Sequence, residues 1–245
     1  MYEDITLQRE RLVPLSFGDE DRSSWLTSEL KKLAPGKRIL DAGAGPCKYK
    51  ELCAHLDYVS QDFSEYDGRG DGHGIQRGSW DISEINIISD ITRIPEPDDS
   101  FDAILCTAVL EHLPDPILAM KEFFRLLAPN GTLLLTAPFS SSTHFSPFHY
   151  YSGFTRYFYE THLINIGFRI ENMHPNGDFF QFIRSLLSNL PQFVEGFSST
   201  SLTDNDMTAI STLMLSMERA SGKQRKADEL LNFGYEVVAK KDICL

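Results

Sequence analysis

A doubly wound α/β fold on a mainly parallel sheet is the architecture this chain predicts, and three observations predict it. Short apolar runs alternate with segments of helical spacing along much of the sequence. One run, Arg38-Ile39-Leu40-Asp41-Ala42-Gly43-Ala44-Gly45-Pro46, ends in an acid and turns at once through two glycines. Two further acids, Asp62 and Asp90, close the next two apolar runs. Acids at successive strand ends of a parallel sheet converge on one edge, so they point to a single ligand pocket there. A turn that bare lets the backbone approach a ligand and is expected to leave amide N–H groups free to bind it.

The elements follow in order. Residues 1–20 show no clear period and read as a loose arm or a cover over the site. Ser24 to Lys32 has helical spacing at Trp25, Leu26, Leu30 and Leu33, stopped by Pro35-Gly36. Ile39-Leu40 is the first strand, Lys48 to Leu56 a helix, and Tyr58-Val59-Ser60 opens the second strand. Asp67 to Ser79 is glycine-rich and polar, which predicts a loop on the ligand-facing rim. Ile85 to Ser89 makes the third strand and Phe101 to Cys106 the fourth. A helix from Asp115 to Leu127 ends at Pro129-Asn130-Gly131, and Thr132 to Thr136 is a continuous apolar strand, buried on both faces. Thr155 to Ile166 is helical up to Gly167, and Phe168-Arg169-Ile170 resumes a strand. Phe179, Phe182, Ile183, Leu186, Leu187 and Leu190 share one helical face; a second helix carries Ile210, Leu213, Met214 and Met217. Gly234 to Ala239 closes the chain as a final strand.

At 245 residues and 42% hydrophobic, the chain has material for one well-packed α/β domain with an insertion. No apolar stretch approaches the roughly 18 residues needed to cross a bilayer. The start, Met1-Tyr2-Glu3-Asp4, lacks the basic and apolar regions of a secretion signal. Cys47, Cys53, Cys106 and Cys244 show no paired spacing, so they read as reduced thiols of a cytoplasmic protein. A net charge of −12 argues against nucleic acid as a partner. The stripe from Phe179 to Leu190 is nearly free of Lys and Arg, which argues against a membrane-surface helix and leaves room for a homodimer contact.

Taken in register, five pieces resemble a class I S-adenosylmethionine-dependent methyltransferase of the type-11 kind. They are Leu40 to Gly45, Asp62 with Ser89-Asp90-Ile91, Asp98 to Ile104, Val109-Leu110-Glu111-His112-Leu113, and Lys121 to Gly131. Cys47 stands where a third small residue is usual in the glycine turn, and Asn130 where glycine is usual. The resemblance implies a Rossmann-like sheet of seven mostly parallel strands with the last antiparallel, and a helical insertion before that last strand. The expected organisation is one domain, 1–245, with an arm (1–20), a cofactor-binding core (36–170), a helical insertion or lid (178–231) and a final strand (233–240). It further implies that Asp41 sits near the methionine ammonium while Gly43, Ala44 and Gly45 pack against the cofactor. Asp62 would accept both ribose hydroxyls, and Phe63 would lie on the adenine face. Asp90 would bind the adenine amino group, the Ile91 backbone a ring nitrogen, and Cys106 would line the methionine arm. S-adenosylhomocysteine would be the product.

The stretch after the fifth strand carries His144, His149, Tyr150, Tyr151, Arg156 and Tyr157. That strand's end opens on the acceptor side of such a fold, so His149 and Tyr150 are candidates for the base and orienting group. His144, Tyr151, Arg156 and Tyr157 are candidates for holding a small polar acceptor, for O- or N-methylation. An aromatic loop that merely packs the insertion is the competing reading. Glu111-His112 reads as a packing and capping pair. No carboxylate or cysteine is spaced to complete a metal site with these histidines, so none is expected. Two rival functions remain: a non-catalytic module that binds the same nucleoside, and a nicotinamide-dependent oxidoreductase. The second wants G-x-G-x-x-G, but Lys48 stands at the third glycine's place.

Overall fold

The computed structural model describes residues 17–76, 78–222 and 226–242. The arm read over 1–20 lies outside these residues up to 16, as does Cys244; residues 17–20 begin a helix instead. The chain divides into two compact units. One runs from Ser23 to His174 and resumes at Gly234; the other includes Pro175–Phe233.

The first unit is built on a seven-stranded sheet in the order β3-β2-β1-β4-β5-β7-β6. Its strands are β1 (Arg38–Ala42), β2 (Asp57–Asp62), β3 (Ile87–Ile88), β4 (Phe101–Thr107), β5 (Leu127–Pro138), β6 (Phe168–Asn176) and β7 (Gly234–Lys241). β1 lies parallel between β2 and β4, β5 continues the parallel set, and β7 pairs antiparallel with β5. Alternation along the strands sorts the core into two faces. Leu40, Ala42, Ile104, Cys106, Leu133 and Leu135 face one side. There they meet Ala119, Met120 and Phe123 of helix α2 (Pro116–Leu126), and Tyr159 and Leu163 of α3 (Arg156–Ile166). Ile39, Ala103, Leu105, Leu134 and Val238 face the other side, against Leu26 and Leu30 of α1 (Phe17–Leu30) and Cys53. Helices on both faces leave only the strand tips open to a ligand.

Several elements differ from their sequence expectation. Lys48–Leu56 is not an α-helix: only Lys50–Cys53 coils, as a 3-10 turn. The backbone bonds from Cys47 to Leu56 span three residues each, a tighter path that brings Tyr49 and Cys53 into the core before β2 begins. The third strand shrinks to Ile87–Ile88, while β5 and β6 run longer than expected. α2 starts where the sequence places it, because the Asp115 carboxylate accepts the amides of Ile117 and Leu118 at 3.1 Å each ahead of Pro116.

The second unit contains α4 (Phe179–Phe197), α5 (Asp204–Ala220) and the short α6 (Ala227–Leu230). Capping boxes start the two long helices, Asp178 with Gln181 and Thr203 with Asp206. Asp178 also accepts from Ser221 Oγ at 3.0 Å and from the Gly222 amide at 3.1 Å, so one carboxylate ties the start of α4 to the end of α5. A cavity of about 1150 Å³ lies in this unit, bordered by Phe180, Gln181, Arg219 and Leu230 among others. Among the described residues no helix is long and apolar enough to cross a membrane.

The Lys121–Gly131 stretch has a structural cause. Arg125 grips both carboxylate oxygens of Glu122, at 2.6 and 2.8 Å, and donates to the carbonyls of Ile94 and Glu96 and to Asp98. Glu122 is buried and also accepts the Ile94 amide at 2.8 Å, so the pair fastens the turn before β4 onto α2. Arg125→Met would leave that carboxylate buried without its fork. Its unfolding free energy in urea should fall by about 2 kcal/mol; a loss under about 0.5 kcal/mol would show that solvent already screens the pair.

Candidate functional site

The glycine turn leaves β1 beside the end of β2, where Ala42 pairs with Gln61. Gly43 and Ala44 both donate their amides to the Gln61 carbonyl at 2.9 Å, and Gly45 donates to Asp62 Oδ2 at 2.9 Å. The expected free amides are therefore turned inward, onto β2, and the loop offers a ligand its surface rather than its donors. The glycines are needed for room as well as conformation. Gly43 has φ +75°, and a Cβ there would lie 2.5 Å from Val109 Cγ2. Gly45 has φ +51°, and its Cβ would sit 3.2 Å from the Trp80 ring.

Asp41 is 2% exposed and accepts the Tyr58 hydroxyl at 2.7 Å. Burial pushes its carboxyl up from 3.8 to about 7; the Tyr58 bond opposes this and the nearby Asp62 charge adds to it. Such a group ionises readily when a cation arrives beside it. Asp62 is buried at the tip of β2, its second oxygen accepting the Ser64 amide at 2.8 Å. Each of its oxygens retains a further lone pair for another donor. Gln61, fully buried, holds the neighbouring tips together: its side chain donates to the Ser89 carbonyl at 2.7 Å. Phe63 is 38% exposed at the same edge and meets Phe148 edge-on, with centroids 5.0 Å apart. Asp90 is exposed, and its Oδ1 accepts both the amide and the hydroxyl of Thr92 at 2.8 Å, while Ile91 is buried in the core. Gln61, Tyr58 and Trp80 were not singled out from the sequence; the signal was a Gln directly before a strand-end Asp.

Cys106 does not line the rim. Its side chain is wholly buried among the core apolar residues, and burial holds its thiol well above the usual range. Thr107, the next residue and the last of β4, is half-buried.

Beyond β4, a 3-10 turn (Leu110–His112) buries Glu111 and presents His112 to a cluster of rings. His112 stacks on Phe145 with centroids 5.1 Å apart, and lies 4.7 Å from His144 and 5.9 Å from His149. Burial and the adjacent His144 bring the His112 imidazole down to about 3, and burial also lowers His149. His149 Nε2 lies 3.3 Å from Ser141 Oγ. Phe145 also touches Tyr66 and Trp80, at 4.9 and 5.1 Å, so the cluster is continuous with the ring that covers Gly45. Backbone bonds join the two loops that supply these rings: Ile75 N–H to Thr143 O, Phe145 N–H to Ile75 O, and Asp71 N–H to Ser146 O. The other acceptor-side candidates lie at exposed positions. Arg156 pairs with Glu160 at 2.7 Å on the outer face of α3, where Tyr157 is 70% exposed. The Tyr151 hydroxyl donates to the Pro114 carbonyl, and Tyr150 is exposed with its amide on the Glu111 carbonyl.

A family model for a methyltransferase domain matches residues 17–187. The chain belongs to that family. A demethylmenaquinone methyltransferase of Renibacterium salmoninarum is 34% identical over 137 residues, covering 55% of this chain and 54% of its own. A ubiquinone biosynthesis O-methyltransferase of Xanthomonas campestris pv. campestris is 31% identical over 105 residues, covering 42% of this chain and 43% of its own. The chain thus spans about half the length of the relatives it matches. Among solved structures, the [4+2]-cyclase SpnF superposes with a TM-score of 0.54 at 17% identity, over 91% of this chain and 81% of its own. A SAM-dependent methyltransferase from Archaeoglobus fulgidus gives 0.52 at 16% identity, over 89% and 94%. At such identities the likeness is one of fold alone. It agrees with the expected seven-stranded, mostly parallel sheet and its antiparallel last strand.

In this methyltransferase domain the Asp41 carboxyl holds an extra proton in the folded state between about pH 4 and its raised value of about 7. Stability is therefore lost as pH rises through that window. Asp41→Asn should raise the unfolding free energy above that of the unaltered protein at about pH 8, by on the order of 4 kcal/mol, and leave it nearly unchanged near pH 4. Thermal scans at the two pH values check this. An equal effect at both would mean that packing, not charge, governs the site.

Proposed function

We propose that this domain transfers a methyl group from S-adenosylmethionine to a small polar acceptor, with a hydroxyl on an aromatic ring as the preferred acceptor class. The observation that carries the reading is the pair of buried carboxylates, Asp41 and Asp62, joined by the glycine turn at one sheet edge. A buried carboxyl poised near neutrality fits the methionine ammonium, and a carboxylate with a spare lone pair on each oxygen fits a ribose diol. Asp90, the Ile91 backbone and Phe63 remain the proposed adenine contacts, since they share that edge with Asp62. The nucleoside supplies a methyl carbon activated by positive sulfur.

The chain's own part is to align the acceptor, exclude water and take up its proton. His149 is the proposed base, with Tyr150 beside it. Burial keeps the His149 imidazole neutral at physiological pH, so it can accept a proton as the acceptor oxygen is methylated. The rings of Phe63, Phe145 and Phe148 supply an apolar wall suited to an aromatic acceptor. Among its relatives, the one named for O-methylation in ubiquinone biosynthesis supports an oxygen acceptor, and the demethylmenaquinone methyltransferase supports a quinone-type ring without specifying the atom.

Calorimetry with S-adenosylmethionine, S-adenosylhomocysteine and NAD separates this reading from its rivals: both sulfur nucleosides should bind and NAD should not. Asp62→Asn should weaken S-adenosylhomocysteine by at least about 10-fold with a modest change in thermal midpoint; unchanged affinity would remove the ribose assignment. Binding of the ammonium should draw a proton off Asp41, so affinity should rise with pH through about 7. Tyr58→Phe removes the bond that favours the ionised form and should move that rise to higher pH. A flat pH profile in both proteins would separate Asp41 from the ammonium.

A further inference from the structure

We propose that Glu111, His112 and His144 form a binding site for a first-row divalent transition-metal ion, zinc foremost. Glu111 Oε1 lies 3.7 Å from His112 Nε2 and 3.9 Å from His144 Nε2. The three ligand atoms all fall within 4.8 Å of one another. These separations exceed a hydrogen bond, but they are close to what one ion imposes. Four ligands at about 2.1 Å around zinc stand roughly 3.4 Å from one another, so closures of a few tenths of an ångström at Glu111 and of at most about 1.4 Å between the imidazoles complete the geometry.

The orientation of the two imidazoles is the stronger argument. His112 Nδ1 lies 2.6 Å from the Phe148 carbonyl, and His144 Nδ1 lies 2.9 Å from the Ser142 carbonyl. A carbonyl oxygen only accepts, so in both rings Nδ1 carries the proton. In the neutral ring that leaves the lone pair on Nε2, and both Nε2 atoms are aimed at the same buried carboxylate. Backbone carbonyls that fix the Nδ1–H tautomer are the usual outer partners of metal-binding histidines. His112 Nε2 is, in addition, buried without a hydrogen-bond partner among the described residues. Two imidazoles and one carboxylate suit zinc or a similar ion, not calcium or magnesium, which prefer an all-oxygen set. The expectation of no metal rested on the lack of a carboxylate at the right spacing. Glu111 supplies it, brought to His144 by folding across 33 positions of sequence numbering.

Three protein ligands leave a coordination position open to an oxygen of a bound molecule, as catalytic zinc sites do. His149 stands beside this cluster, its ring 4.7 Å from that of His144. Metal binding does not depend on the methyl-transfer reading, and its test does not measure methyl transfer.

The full chain, free of any affinity tag and stripped with a chelator, is titrated with Zn²⁺ by calorimetry and with Co²⁺ by visible absorption. One equivalent of each ion is expected, with cobalt giving the intense bands of a four-coordinate site. His144→Ala and Glu111→Gln should each lower zinc affinity by at least about 100-fold, with folding checked by circular dichroism. His144→Ala decides the matter if the buried Glu111→Gln fails to fold. Absence of uptake by the unaltered chain, or zinc affinity unchanged in His144→Ala, overturns the site.

Discussion

Three consecutive backbone amides, those of Gly43, Ala44 and Gly45, cross from the end of β1 to Gln61 and Asp62 on β2, and the candidate site depends on this crossing. It spends the turn's donors on the scaffold and draws two carboxylates to one edge. The Gln61 side chain extends the same stitch to Ser89 after β3. Parallel register does the rest, because β1 sits between β2 and β4 and so places three chain ends side by side. Val109 leaves no room for a side chain at Gly43, and Trp80 crowds one at Gly45, where positive φ already favours glycine.

The electrostatic cost of this arrangement is concentrated on Asp41. Burial opposes its charge, and the Asp62 carboxylate nearby opposes it further, with only the Tyr58 hydroxyl in its favour. A cationic group bound beside Asp41, as proposed for the methionine ammonium, would offset that cost. On that proposal, stability given up at the strand tip would return as binding free energy, as at other preorganised sites.

Much of the fold was legible in the residues. β1, β2, β4, β5 and β7 announce themselves as apolar runs, and Asp115-Pro116 marks the start of α2 by its capping chemistry. The strand-end acids were legible too, since an acid before a glycine bend and a second acid after the next run follow from sheet geometry. What stayed hidden depended on tertiary placement. The Lys48–Leu56 segment has helical composition, but the short return to β2 winds it as 3-10 turns. Cys106 looked like a rim residue, yet strand alternation turns it into the core. Arg156 and Tyr157 looked like ligand contacts, yet helical phase puts them on an outer surface. Glu111, His112 and His144 could not be joined by spacing, because a whole strand and helix lie between them in the chain.

Phe145 and its neighbours carry a consequence for traffic to the turn. The ring touches Tyr66 and Trp80 from one loop and His112 and His144 around the other, while Ile75, Thr143, Asp71 and Ser146 bond the two backbones together. Such a knitted seam cannot part residue by residue. On the proposed cofactor reading, a molecule bound for Gly45 would slip past its margin or lift both loops as one plate, with the barrier to entry set collectively rather than by any single side chain.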